Sequence, residues 1–169
     1  MVKNKKAQEG PIGMPFGIIF GLFLIIVFIV IAIIAVNYFL GVKNQVMILT
    51  FYDDLQQNLN KALSSQETNE TVYIALPGAI DYVCFINFSA EKNGTYIKYY
   101  DQITGGYSED SNIFLFPTTK AQEHPFYKLS HVNIANITAI NNPSCISTKS
   151  RLRLVKGFYD KEIMIQEVK

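Results

Sequence analysis

The sequence has no tryptophan, only two cysteines and two histidines, and no charged side chain between Glu9 and Lys43. Each shortage excludes something. Cys84 and Cys145 stand alone, with no C-x-x-C spacing and no His pair nearby, which argues against a metal centre. His124 and His131 are seven apart in a polar stretch, with Glu123 the only adjacent carboxylate, so they read as surface histidines of a loop. Glu109-Asp110 sits in an oxygen-rich segment but lacks the EF-hand ligand spacing. No nucleotide-binding motif, nucleophile elbow or nucleophile–base constellation occurs. No catalytic residue, metal or cofactor is therefore expected, and the chain reads as a non-enzyme.

Charge of one sign is also scarce. The 169 residues carry 15 basic and 14 acidic side chains, a net charge of +1. Three basic residues and one acidic residue precede Val42, which leaves 12 and 13 beyond it. Without a clustered basic face, nucleic acid is not an expected partner.

What the sequence does have is an apolar run. Residues 16–40 are almost all Ile, Phe, Val, Leu, Ala and Gly. A helix of about 25 residues is roughly 37 Å long, against a hydrocarbon core of about 30 Å. No polar stripe interrupts it, as a soluble core helix would require. It is also longer than the 7–15 residues typical of a cleaved secretory signal. The lipid bilayer is thus the first expected partner. Tyr38 and Phe39 mark the outer interface. Lys3, Lys5 and Lys6 on one side outnumber Lys43 on the other. The positive-inside rule then places the N-terminus in the cytoplasm and the C-terminal domain outside the cell. Within the run, Gly17-x-x-x-Gly21 matches the small-xxx-small pattern of close helix contacts, a candidate site of self-association.

Beyond the run, Val42, Val46, Leu49, Tyr52, Leu55, Leu59 and Leu63 recur at steps of three and four, the helical period. Asp53 and Asp54 fall on the opposite, solvated face. One helix is expected from about Phe16 to Ser64, with Val46, Leu49, Leu55, Leu59 and Leu63 facing a sheet. After a polar link, the runs TVYIAL, IDYVCFINF, TYIKYY, NIFLF, VNIANITAI, RLRLV and EIMIQEV are rich in β-branched and aromatic residues and are separated by turn signals. They predict one antiparallel sheet of five to seven strands ending in a hairpin, with residues 118–131 a loop carrying a helical turn. The fold class is α+β: a long N-terminal transmembrane helix that continues into an amphipathic helix packed on an antiparallel sheet. The expected divisions are 1–15 (basic cytoplasmic tail), 16–40 (transmembrane helix), 41–64 (amphipathic helix) and 65–169 (extracytoplasmic β-rich domain).

Asn-x-Ser/Thr sequons occur at Asn69, Asn87, Asn93 and Asn136, candidate N-glycosylation sites of an exported domain. Asn93-Gly94-Thr95 is the most turn-like, and Asn136 falls in an apparent strand. An oxidising exterior permits a disulfide between Cys84 and Cys145. The alternative is two separate buried thiols. Tyr96, Tyr99, Tyr100 and Tyr107 form a cluster that suits either strand packing or a binding patch.

Lys5-Lys6-Ala7-Gln8, followed by Gly10-Pro11-Ile12-Gly13 and FGIIFGLFLIIVF, resembles the class III signal peptides of archaeal type IV pilin-like proteins and archaellins. It is similar, too, to small single-pass membrane proteins of archaea. The resemblance implies a prepilin-type peptidase as a partner, with its cut between Ala7 and Gln8. It also implies a β-rich, often glycosylated outer domain and a structural role at the cell surface. The chain departs from pilins at Ile12, where they carry an acidic residue, and Pro11 and Pro15 interrupt the start of the helix. Two roles follow as expectations: a pilin-like surface subunit assembling through its helix, or a monomeric anchored accessory or receptor domain.

Overall fold

The structure is a computed structural model that describes residues 13–104, 110–121 and 123–168. The chain divides into two compact units at Val42 and Lys43.

Helix α1 covers Gly13–Ser64. Its first part is rich in Ile and Val, which favour strands in water. A helix satisfies every backbone group within the segment, which an apolar environment demands. The helix is long and apolar enough to cross a membrane: its most apolar 18 residues have a mean hydropathy of 3.5 and none of them is buried.

In the second unit, α1 is followed by β1 (Thr68–Tyr73), β2 (Tyr82–Phe85), α2 (Ile97–Thr104), β3 (Ile113–Phe116), a 3-10 turn at Thr118–Lys120 and β4 (Phe126–Tyr127). Next come α3 (Ile134–Ile137), β5 (Ser144–Ser147), β6 (Arg151–Lys156) and β7 (Met164–Val168). The strands form two antiparallel sheets rather than the expected single one. One has the order β1-β6-β7 and the other β4-β3-β2-β5. The expected final hairpin is present, with Leu154 opposite Ile165.

Strand alternation builds two cores. Val83 and Phe85 of β2, Ile113 and Leu115 of β3, and Ile146 of β5 pack with α1. The intervening Cys84, Phe114 and Cys145 join a second cluster with Ile103 of α2. The period-two rule thus places one helix on each face of the four-stranded sheet. The three-stranded sheet sends Leu152, Leu154 and Ile165 into the first core, while Arg151, Tyr73 and Gln166 remain exposed.

Leu55 and Leu59 of α1 are buried as expected, and Leu63 is half-buried. Each fully buried leucine contributes roughly 1.5–3 kcal/mol. Val46 and Leu49 are exposed at 56% and 42%, contrary to expectation. The buried face is instead Ile48, Phe51, Tyr52, Leu55, Leu59 and Ala62. At about 100° per residue, the other buried side chains all lie within roughly 60° of Leu55, whereas Leu49 lies roughly 120° and Val46 roughly 180° around the helix from it, off the line of contact.

Two expected strands are helices. TYIKYY contributes to α2, where Tyr99, Tyr100 and Ile103, together with Tyr96 just before the helix, line one side at steps of three and four and pack in the second core. VNIANITAI contains α3, begun by the Asn133 side chain, which accepts from Asn136 N. Asn136 therefore sits in a short helix and not a strand. The expected loop at 118–131 does hold a helical turn, and it also supplies β4.

Candidate functional site

Cys84 and Cys145 face each other across β2 and β5 and are joined by a disulfide, with Cα atoms 4.0 Å apart. An aromatic layer covers the bridge. Tyr99 stacks on Phe116 at 3.9 Å between ring centroids, Tyr96 lies 5.7 Å from Tyr82, and Phe88 meets Phe114 edge-on at 5.9 Å. Tyr96, Tyr99 and Tyr100 are accordingly half-buried packing residues over the second core. Tyr107 lies outside the described residues.

The loop between β2 and α2 is held by a buried asparagine. Asn142 is fully buried. Its Nδ2 donates to the carbonyls of Asn87 (2.8 Å), Ala90 (3.3 Å) and Glu91 (3.2 Å), and its Oδ1 accepts from Asn87 N (3.0 Å). Its backbone pairs with Asn93 in both directions, each bond 3.0 Å long. One side chain thus satisfies four backbone groups of a loop that has no sheet partner along most of its length. Gly94 follows with a φ of 82°. A Cβ there would run into the Asn141 side chain, so both backbone sign and space require glycine.

Two grooves flank this framework. The first, about 470 Å³, is lined by Asn87, Ser111, Asn112, Lys128, His131 and Glu162, among others. His131 has a φ of 66°, and its carbonyl accepts from Ile163 N at 2.8 Å. The second, also about 470 Å³, lies where β5 and β7 approach each other. Cys145, Ile165, Gln166 and Glu167 line it together with Tyr96 and Ile140. Burial raises the Tyr96 hydroxyl pKa above its ordinary value, with Tyr82, the Glu167 carboxylate and Tyr99 adding to the shift. Glu167 also accepts a hydrogen bond from Ser150 Oγ at 2.6 Å.

The structure brings few of the other sequence candidates together. Asn69 is exposed on the edge strand β1, where Glu70 and Thr71 are exposed beside it. Asn87 is half-buried, its Oδ1 accepting from Ser89 N at 3.0 Å. Asn93 is exposed, but its Oδ1 accepts from Asn142 N at 2.8 Å. Asn136 is exposed, and the Thr138 of its sequon is buried with its hydroxyl on Ile134 O. Gly17 and Gly21 lie on α1, and a Cβ at either would meet nothing within 4 Å. His124 and His131 are held apart from each other by their roles. The His124 carbonyl accepts from the buried Tyr52 hydroxyl, and His131 lines the first groove. Asp53 and Asp54 are exposed as expected. Ala7, Gln8 and Glu109 lie outside the described residues. Among the described residues, no group of three or more His, Cys, Asp or Glu is placed to hold a metal ion.

The groove at β5 and β7 was not visible in the sequence, because its lining comes from three distant stretches, within 95–96, 136–146 and 164–167. The chain matches no protein-family profile, no curated protein and no solved structure.

Proposed function

We propose that this is a membrane-anchored surface protein with a structural or interaction role, which passes the bilayer once and carries its disulfide-bonded domain outside the cell. The observation that carries the reading is the apolar surface of α1. Phe16, Ile18, Phe23, Phe28, Ile34 and Phe39 are all more than half exposed, which water would penalise and lipid would not. The Lys3, Lys5 and Lys6 cluster supports a cytoplasmic N-terminus, and the disulfide fits an oxidising compartment. The sequons at Asn69 and Asn93 and the exposed Asn136 side chain fit the same side of the membrane.

The pilin-like form of the reading adds processing between Ala7 and Gln8 and assembly through Gly17 and Gly21. The experiment that tests it is intact-mass and N-terminal analysis of protein purified from membranes, together with self-association of Gly21→Ile in native membranes. A start at Gln8 and lost association on adding bulk at Gly21 support the assembling subunit. An intact Met1 terminus and a monomeric chain support the anchored receptor instead. That second reading is favoured by the groove at β5 and β7, which no part of the described chain fills.

A further inference from the structure

The two sheets end beside each other, and each leaves one strand edge unpaired. β5 is the last strand of one sheet and β7 the last strand of the other. The 4.0 Å between the Cα atoms of Cys84 and Cys145 is the close spacing of an antiparallel pair that exchanges no backbone hydrogen bonds. In that register Ser144 and Ile146 turn their N–H and C=O groups toward β2, and Cys145 turns its own away. Thr148 N continues the same alternation by donating to Asp81 O at 2.9 Å.

β7 can be phased in the same way. Ile163 N donates to His131 O at 2.8 Å and Ile163 O accepts from Asn133 N at 2.9 Å, both on the side away from β6. Alternation then puts the backbone groups of Ile165 and Glu167 on that same outer edge. Among the described residues, no hydrogen bond reaches the backbone of Cys145, Ile165 or Glu167 on these edges. These three residues line one groove. Unpaired backbone donors and acceptors on a sheet edge are a template for a further strand.

We propose that the groove takes an extended polypeptide segment of a partner protein, which pairs its backbone with β5 and β7 and joins the two sheets. The partner's side chains follow from the lining. Among the described residues, Glu167 is the only charged one in the lining. The segment therefore carries a lysine or arginine next to Glu167 and apolar residues over Met164 and Ile140. A saccharide would use Tyr96, Gln166 and Asn141 and leave both strand edges unpaired. This inference rests on the interaction role proposed above and supplies its binding surface.

The test uses the full chain in detergent micelles and a capped probe peptide of alternating valine and threonine ending in lysine. Amide exchange at Cys145, Ile165 and Glu167 is expected to slow about tenfold or more at saturating peptide. A version N-methylated at every residue, which can donate to neither strand edge, should leave exchange unchanged. Glu167→Lys should weaken the lysine peptide about tenfold and favour a glutamate analogue. Equal binding of the N-methylated peptide would overturn strand pairing. So would protection by a chito-oligosaccharide in place of the peptide, or no slowing with either peptide at millimolar concentration. Failure of the anchoring itself would be read separately, as recovery of the chain in the soluble fraction.

Discussion

Lys156 closes the C-terminal end of α1. Its Nζ donates to Ser65 O at 2.7 Å and to Gln66 O at 3.3 Å, and the residue is only 7% exposed. Both carbonyls lie in the turn just past Ser64, the last residue of α1, beside the partial negative charge of the helix end. A buried ammonium supplied from β6 satisfies both and ties the helix to the three-stranded sheet. Lys156→Met keeps the apolar stem and removes the donors. The expected loss is about 1.5–3 kcal/mol in denaturant unfolding of the domain, the range for a hydrogen bond to a charged group. A change within 0.5 kcal/mol, the usual scale of surface substitutions, would show that water serves these carbonyls equally well.

Tyr52 predicts an alkaline limit to stability. Its ring is buried against Tyr127 at 4.8 Å between centroids, and its hydroxyl donates to His124 O at 3.1 Å. Burial holds the hydroxyl pKa far above its ordinary value of 10.0. A group whose folded pKa is raised contributes stability that is complete below the unfolded value and lost as pH rises beyond it. The domain should therefore keep its stability from this group up to about pH 10 and lose it progressively above. Tyr52→Phe should flatten that decline while costing about 1 kcal/mol at neutral pH for the lost hydrogen bond. Unfolding curves from pH 7 to 11 make the comparison.

The helices show which part of this fold a sequence reveals. The long helix is legible because its apolar length and the steps of Leu55, Leu59 and Leu63 are local signals. Its phase is less so, since Val42, Val46 and Leu49 form an equally regular apolar row, and only the partner surface decides which row is buried. Tyr96, Tyr99, Tyr100 and Ile103 carried a helical period that the β-favouring composition of TYIKYY obscured. Tertiary packing on Phe116 and Phe114 overrode that propensity. The division into two sheets has no local signature, because it depends on which strands pair across long separations. The groove at β5 and β7 is hidden for the same reason: Tyr96 and Glu167 meet only after both sheets have formed.

Asn142 should control the order of the loop between β2 and α2. Asn142→Ala removes three donated bonds and one accepted bond and leaves the carbonyls of Asn87, Ala90 and Glu91 without that partner. Each buried unsatisfied group costs about 1–3 kcal/mol, less where water can enter. The expected result is rapid amide exchange and new protease cleavage between residues 87 and 93, with β6 and β7 still protected. Asn142→Asp keeps the acceptor and loses the donors, so it should fall between the wild type and the alanine variant. Uniform protection in both variants would show that Gly94 and the Asn93 pairing suffice to hold the loop.

The disulfide should matter most to the layer that contains α2. Cys84 and Cys145 are 61 residues apart in sequence, and closing a loop of that size stabilises the folded state by about 4 kcal/mol on the chain-entropy account. They lie in the second core, whereas α1 packs only in the first. Replacing both cysteines by alanine should therefore loosen Tyr99, Tyr100 and Ile103 before it loosens Leu55 and Leu59. Native-state hydrogen exchange reads the difference, with α2 and β5 exchanging faster in the double variant and residues 48–62 of α1 changing least. Equal acceleration across both cores would mean that the two layers unfold as one cooperative unit. The bridge would then stabilise the whole domain rather than fasten the α2 layer to its sheet.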